Sequence, residues 1–94
     1  MPRAVSLRIS APLERAALPA LFERTCTLLE AKDAQILRCE VAGVRADAVA
    51  VDALARLALA ARRRGCAVCL SGASAELLAL IALMGLADVL REAP

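Results

Sequence analysis

The chain has 94 residues, which matches one small domain, and 61% of them are hydrophobic. That apolar fraction with only 23% charged residues excludes a disordered tail. The formal charge is +2 and there is no His, Trp or Tyr, which removes His-based triads, His-ligated metals and proximal-His haem.

Ala and Leu dominate, with 23 and 17 copies, and 11 Arg stand against a single Lys. This bias reads as the codon usage of a GC-rich bacterial genome. The near-neutral balance and the lone aromatic, Phe22, lack the basic stripe and stacking rings of a nucleic-acid binder. The richest apolar run, Leu77 to Met84, is eight residues long, against the roughly 20 of a membrane span. Arg8, Glu14 and Arg15 interrupt the opening stretch, so no signal peptide and no membrane insertion are expected, and the setting reads as cytoplasmic with reduced thiols.

The first element is a strand over Ala4 to Ser10, where Val5, Leu7 and Ile9 alternate with polar residues. Ala11-Pro12 breaks it. A helix follows from about Ala17 to Ala31, with Pro19 in its first turn and a stripe of Leu18, Leu21, Phe22, Thr25, Leu28 and Leu29. Ile36 to Val41 is the second strand, with Leu37, Cys39 and Val41 on one face and Arg38 and Glu40 on the other.

After the Gly43-Val44-Arg45 loop, Asp47 caps or opens a second helix that runs to Arg64. Spacing of about 100° per residue buries Ala50, Val51, Leu54, Leu57, Ala58 and Ala61. The same spacing turns Asp52, Arg56, Leu59 and Arg63 outward. Arg62 to Arg64 sit where cations suit the helix dipole, and Gly65 stops the helix.

Cys66 to Leu70 is a third strand. Ser74 caps a third helix that ends at Met84 before Gly85, with Leu86 making the contact expected after such a cap. Ala87 to Leu90 is an apolar tail with no clear period. The order β-α-β-α-β-α implies parallel pairing through right-handed crossovers. Because the first two strands alternate instead of running apolar throughout, the helices are expected mainly on one face of the sheet.

No catalytic constellation emerges. Cys66 and Cys69 have CxxC spacing but lie on a strand, where residues three apart face opposite ways. The bland reading is one core thiol and one outside it. Asp47 and Asp52 sit about 140° apart on a helix and do not converge, so a cap and a surface acid account for them. The arginine run reads first as a solvated helix end. The four glycines all fall at element ends and form no phosphate loop. No metal or other cofactor is expected, and the chain reads as a non-enzyme. The outer face of the second helix mixes charge with Leu59 beside the Gly43–Asp47 loop, a surface suited to a protein partner.

Taken together, the strand Ile36–Val41, the Asp47-bearing loop, Val51-Asp52-Ala53-Leu54-Ala55-Arg56-Leu57, the Arg-rich helix end with Gly65, and Leu77 through Gly85-Leu86 resemble a STAS domain. The name denotes the sulfate transporter and anti-sigma factor antagonist domain. The likeness is to the small stand-alone bacterial kind and runs from about Val5 to Leu90, so the expected organisation is one STAS-like domain over residues 1–94. It implies an α/β right-handed β-α superhelix with a mostly parallel sheet and helices mainly on one face. The family's usual additional N-terminal strand has no room before Ala4.

The resemblance also implies a function, non-enzymatic binding of a protein partner such as an anti-sigma factor or a histidine-kinase-like ATPase. Phosphorylatable relatives carry Asp-Ser-Ser/Ala-Gly at the head of the second helix, where phosphate adds charge that breaks an interface. The matching stretch here is Ala46-Asp47-Ala48-Val49-Ala50-Val51-Asp52-Ala53, which puts Ala48 at the phosphoacceptor position. No Ser or Thr occurs between Thr27 and Ser71, so no shift of register restores the switch. The expected partner contacts are Asp47, Ala48, Asp52, Arg56, Leu59 and Arg63. Two other roles compete with this one. An accessory STAS subunit of an ABC-type lipid transport system is the first, since a permease tail would need an upstream membrane segment that the chain lacks. A thiol-dependent enzyme is the second.

Overall fold

The computed structural model describes residues 3–9 and 15–93. Strand β1 (Ala4–Arg8) leads, through a 3-10 turn at Arg15–Ala17, into helix α1 (Leu18–Lys32). Strand β2 (Ile36–Glu40), helix α2 (Ala48–Arg63), strand β3 (Ala67–Ser71), helix α3 (Ala75–Leu83) and strand β4 (Arg91–Glu92) complete the order. Ser10 and the Ala11-Pro12 break lie outside the described residues.

The four strands form one parallel sheet in the order β1-β2-β3-β4. Sequential order has a consequence for the layers. A crossover between parallel strands is right-handed in nearly all proteins, so strands added always in one direction receive their helices on one face. The sheet's burial pattern agrees. Val5, Leu37 and Val68 share one register row and Leu7, Cys39 and Leu70 the next. Leu7, Leu37, Cys39, Val68 and Leu70 are all buried. Between these rows Ser6, Arg38, Cys69 and Arg91 align on the other face, where Arg8 also meets Glu40 across the strands at 3.9 Å. The expected one-sided superhelix is what the chain forms.

The helices supply the other half of the core. From α1 come Leu21, Thr25 and Leu29, with the buried Thr25 hydroxyl donating to the Leu21 carbonyl at 2.8 Å. Helix α2 buries Ala50, Val51, Ala53, Leu54, Leu57, Ala58 and Ala61. Four of these seven are alanines, small enough to let the helix backbone sit close to the sheet. Leu54 and Leu57 are fully buried, each worth about 1.5–3 kcal/mol relative to exposure.

Helix ends obey local chemistry. Pro19 lies in the first turn of α1, where its missing N–H costs nothing. Beyond α2, the Gly65 N–H donates to the Arg62 carbonyl and the Cys66 N–H to the Ala61 carbonyl, the paired bonds of a Schellman turn. Gly85 and Leu86 repeat the pattern onto Ala82 and Ile81 at the end of α3. Cys66 therefore belongs to the turn, and β3 starts one residue later than its sequence indicates.

The tail departs most from expectation. Residues 87–89 turn, Leu90 is buried, and Arg91–Glu92 add a fourth strand beside Cys69 and Leu70. The Ala93 N–H extends the ladder by donating to the Leu70 carbonyl. The arginine run is also not uniform, because Arg64 pairs with Glu30 of α1 at 3.1 Å while Arg62 and Arg63 face solvent.

Candidate functional site

The loops after β2 and β3 meet at the carboxyl end of the sheet. Gly43 takes a positive φ of 83°, and the next N–H, of Val44, folds back onto the Val41 carbonyl at 3.0 Å with the Val44 side chain buried. Gly72 lies against this loop. A Cβ added to it would come within 3.3 Å of the Ala42 Cβ, and its φ of 77° is one that side chains resist. The loop leading to α2 is therefore packed against the turn after β3.

Asp47 is extended, with φ −136° and ψ 168°, and its Oδ1 accepts from the Ala50 N–H at 2.8 Å. It is the N-cap of α2, so its carboxylate is committed to the helix before any partner arrives. Ala48 follows, exposed. Asp52 and Arg56 are one turn apart on the outer face and pair at 3.0 Å. Leu59 is 51% exposed and Arg63 faces solvent.

Spacings of four, four, three and four residues place Ala48, Asp52, Arg56, Leu59 and Arg63 on one solvent-facing stripe. Asp47 lies at its head. The structure thus brings the expected contact residues onto one face. Asp47 and Asp52 have separate roles, as cap and as ion-pair partner.

A further exposed apolar feature escaped the sequence reading. Leu83 is 83% exposed and Met84 45%, at the end of α3. Helix α3 has one charged residue, Glu76, and buries only Leu77 and Ile81. The available signal was a helix apolar all round, which ordinarily means burial on every side.

The thiols are free. Cys39 and Cys66 are buried, while Cys69 sits half-buried on the opposite face of the sheet, as strand alternation requires. Burial, followed by the neighbouring Cys69 and Cys66, pushes Cys39 up to about 12. Burial also raises Cys66, with Cys69 adding to the effect. Thiols held protonated in this way are poor nucleophiles at neutral pH. Among the described residues no group of three or more His, Cys, Asp or Glu side chains could hold a metal ion. Nor is any described helix long and apolar enough to cross a membrane.

The fold is shared with a solved structure, the NMR structure of the protein TM1081. The TM-score is 0.76 at 11% identity over 95% of this chain and 74% of that one. No curated protein matches the chain by sequence. The family model of the STAS domain matches residues 1–93. A one-sided parallel sheet, a capped α2 with a solvent-facing stripe and this match lead to one conclusion: the chain belongs to the STAS domain family, whose members are regulatory and interaction modules.

Proposed function

We propose that this protein is a non-enzymatic STAS module that docks a protein partner through the 43–48 loop and the outer stripe of α2, without a serine phosphorylation switch. Asp52, Arg56, Leu59 and Arg63 supply the contacts, with Ala48 at the head of the stripe and Asp47 holding the loop that presents it. The observation that carries the reading is the stripe itself, which opens on Ala48, a residue with no hydroxyl, and leaves Leu59 half-exposed among charges. An apolar side chain rimmed by charged ones fits the anatomy of a protein interface. An anti-sigma factor or a kinase-like ATPase is the partner class that family membership favours.

Two experiments test the reading separately. A partner copurified from the native host should be lost in pulldowns with Arg56→Glu and with Leu59→Asp, and unchanged capture by both variants rules this face out. For the missing switch, incubation with the cognate kinase and ATP should leave the mass of the protein unchanged. Stoichiometric phosphate on Ser71 or Ser74 would show that control had moved to the turn between β3 and α3 and would overturn that half of the proposal.

A further inference from the structure

One face of the sheet packs on the helices, and the register leaves the other open. Ser6, Arg38, Cys69 and Arg91 form a row across all four strands of that open face, with Arg8 and Glu40 beside it. No residue on this face of the strands is buried, so no described element covers it. Small side chains alternate with arginines along the row. Adjacent strands are about 5 Å apart, which sets Arg38 and Arg91 on either side of Cys69 with their backbones about 10 Å apart.

Two of these charges have no counterion. The ion pairs among the described residues join Arg8 to Glu40, Arg56 to Asp52 and Arg64 to Glu30, so Arg38 and Arg91 are in none of them. The Arg8–Glu40 pair is itself loose, at 3.9 Å with both side chains solvated. Three guanidiniums against one carboxylate give this face a net +2, equal to the formal charge of the whole chain, so the remaining charges balance. The protein's excess positive charge is therefore concentrated on its uncovered face.

We propose that the open face of the sheet docks an acidic polypeptide segment of another protein, which sets a carboxylate over Cys69 between Arg38 and Arg91. Charge complementarity selects this occupant, since planar guanidiniums suit carboxylates. A second copy would bring arginines against arginines in a two-fold contact. A bilayer would need an apolar anchor, and the one large aliphatic residue of the face, Ile36, is half-buried. The proposal goes beyond the partner-docking reading and uses none of its contact residues, so either can fail alone.

The probe is a short peptide alternating Glu and Ser, with its Gln counterpart and phosphatidylserine vesicles as the other arms, at low ionic strength. The Glu peptide should give saturable NMR shifts at the amides of Ser6, Arg38, Cys69 and Arg91. It should also slow iodoacetamide labelling of Cys69 relative to Cys26, which lies on α1. Arg38→Gln or Arg91→Gln should weaken binding about two- to fivefold, the scale of an exposed ion pair. Arg24→Gln, the same change of charge on α1, should not. Glu40→Gln should tighten binding, because it removes the one acid of the face and frees Arg8; misfolding cannot produce that gain, so it decides the matter should an arginine variant not fold. The proposal is overturned by any of four results: the Glu peptide does not saturate at millimolar concentration, the Gln peptide binds as tightly, Arg24→Gln weakens binding as much as the strand variants, or vesicles protect Cys69 where the peptide does not, which would assign the face to a membrane.

Discussion

Asp47→Ala separates the two jobs that Asp47 is asked to do. Its Oδ1 accepts the Ala50 N–H at 2.8 Å, and Ala50 and Val51, directly behind the cap, are buried to 1% and 0% exposure. Loss of the cap therefore leaves an amide unpaired in a partly buried turn, and fraying cannot relieve it without uncovering core. Cap removal costs about 1 kcal/mol on average and up to about 2 in protein hosts, and this site belongs in the upper half of that range. For a domain of this size each kcal/mol lowers the melting temperature by about 4–8 °C. Asp47→Asn keeps an acceptor oxygen and loses only the favourable charge at the helix N-terminus, about 0.3–1 kcal/mol.

The assay is urea unfolding followed by circular dichroism at fixed pH, with the slope checked for constancy across the three proteins. The expected order of stability is wild type, then Asn, then Ala. If Ala unfolds at the wild-type midpoint, or if Asn is as damaging as Ala, the cap does not hold the head of α2. A partner pulldown on the same proteins adds a functional check: Asn should retain capture if Asp47 serves by shaping the loop.

Three further outcomes follow from burial and backbone geometry. Leu54→Ala should cost about 2–5 kcal/mol in chemical denaturation, whereas Leu83→Ser, at an 83% exposed position, should stay within about 0.5 kcal/mol. Comparable losses at the two sites would mean that α3 is covered in solution. Gly72→Ala should cost about 1–2 kcal/mol from its positive φ of 77° alone, with the 3.3 Å approach to Ala42 adding to it, and an unchanged thermal melt would contradict the loop packing. Alkylation of the native protein should label the half-buried Cys26 and Cys69 first and leave Cys39 until unfolding. Because the folded Cys39 thiol sits at about 12, above its ordinary 9.0, the folded state holds this proton more tightly than the unfolded one. Stability is then complete below about pH 9 and declines as pH rises toward 12, a slope that Cys39→Ala should reduce in urea midpoints measured across that window.

Much of the fold was legible in the sequence because the determinants are local. Strand alternation in Val5-Ser6-Leu7-Arg8 and Leu37-Arg38-Cys39-Glu40 identified which face would be covered. The 3.6-residue period of α2 separated buried Leu54 and Leu57 from outward Asp52, Arg56 and Leu59, all as the structure has them. Asp47, Ser74, Gly65 and Gly85 announced the ends of α2 and α3, since capping depends on residues three to five apart. Family resemblance agreed with the one-sided sheet and added the STAS fold, which the chain has.

What tertiary structure decided are contacts between residues far apart in the chain. Arg91-Glu92 is too short to carry a period and becomes a strand only because β3 presents an edge beside it. The pairing of Arg64 with Glu30 spans 34 positions and distinguishes one arginine of a run whose members look alike. Leu83 reads as core in an all-apolar helix, yet α3 meets the core through buried Leu77 and Ile81 with Leu80 packed beside them, and Leu83 stays exposed. Local sequence sets where elements begin, which face they bury and how they end. Which charge finds a partner and which surface stays open depends on how those elements pack.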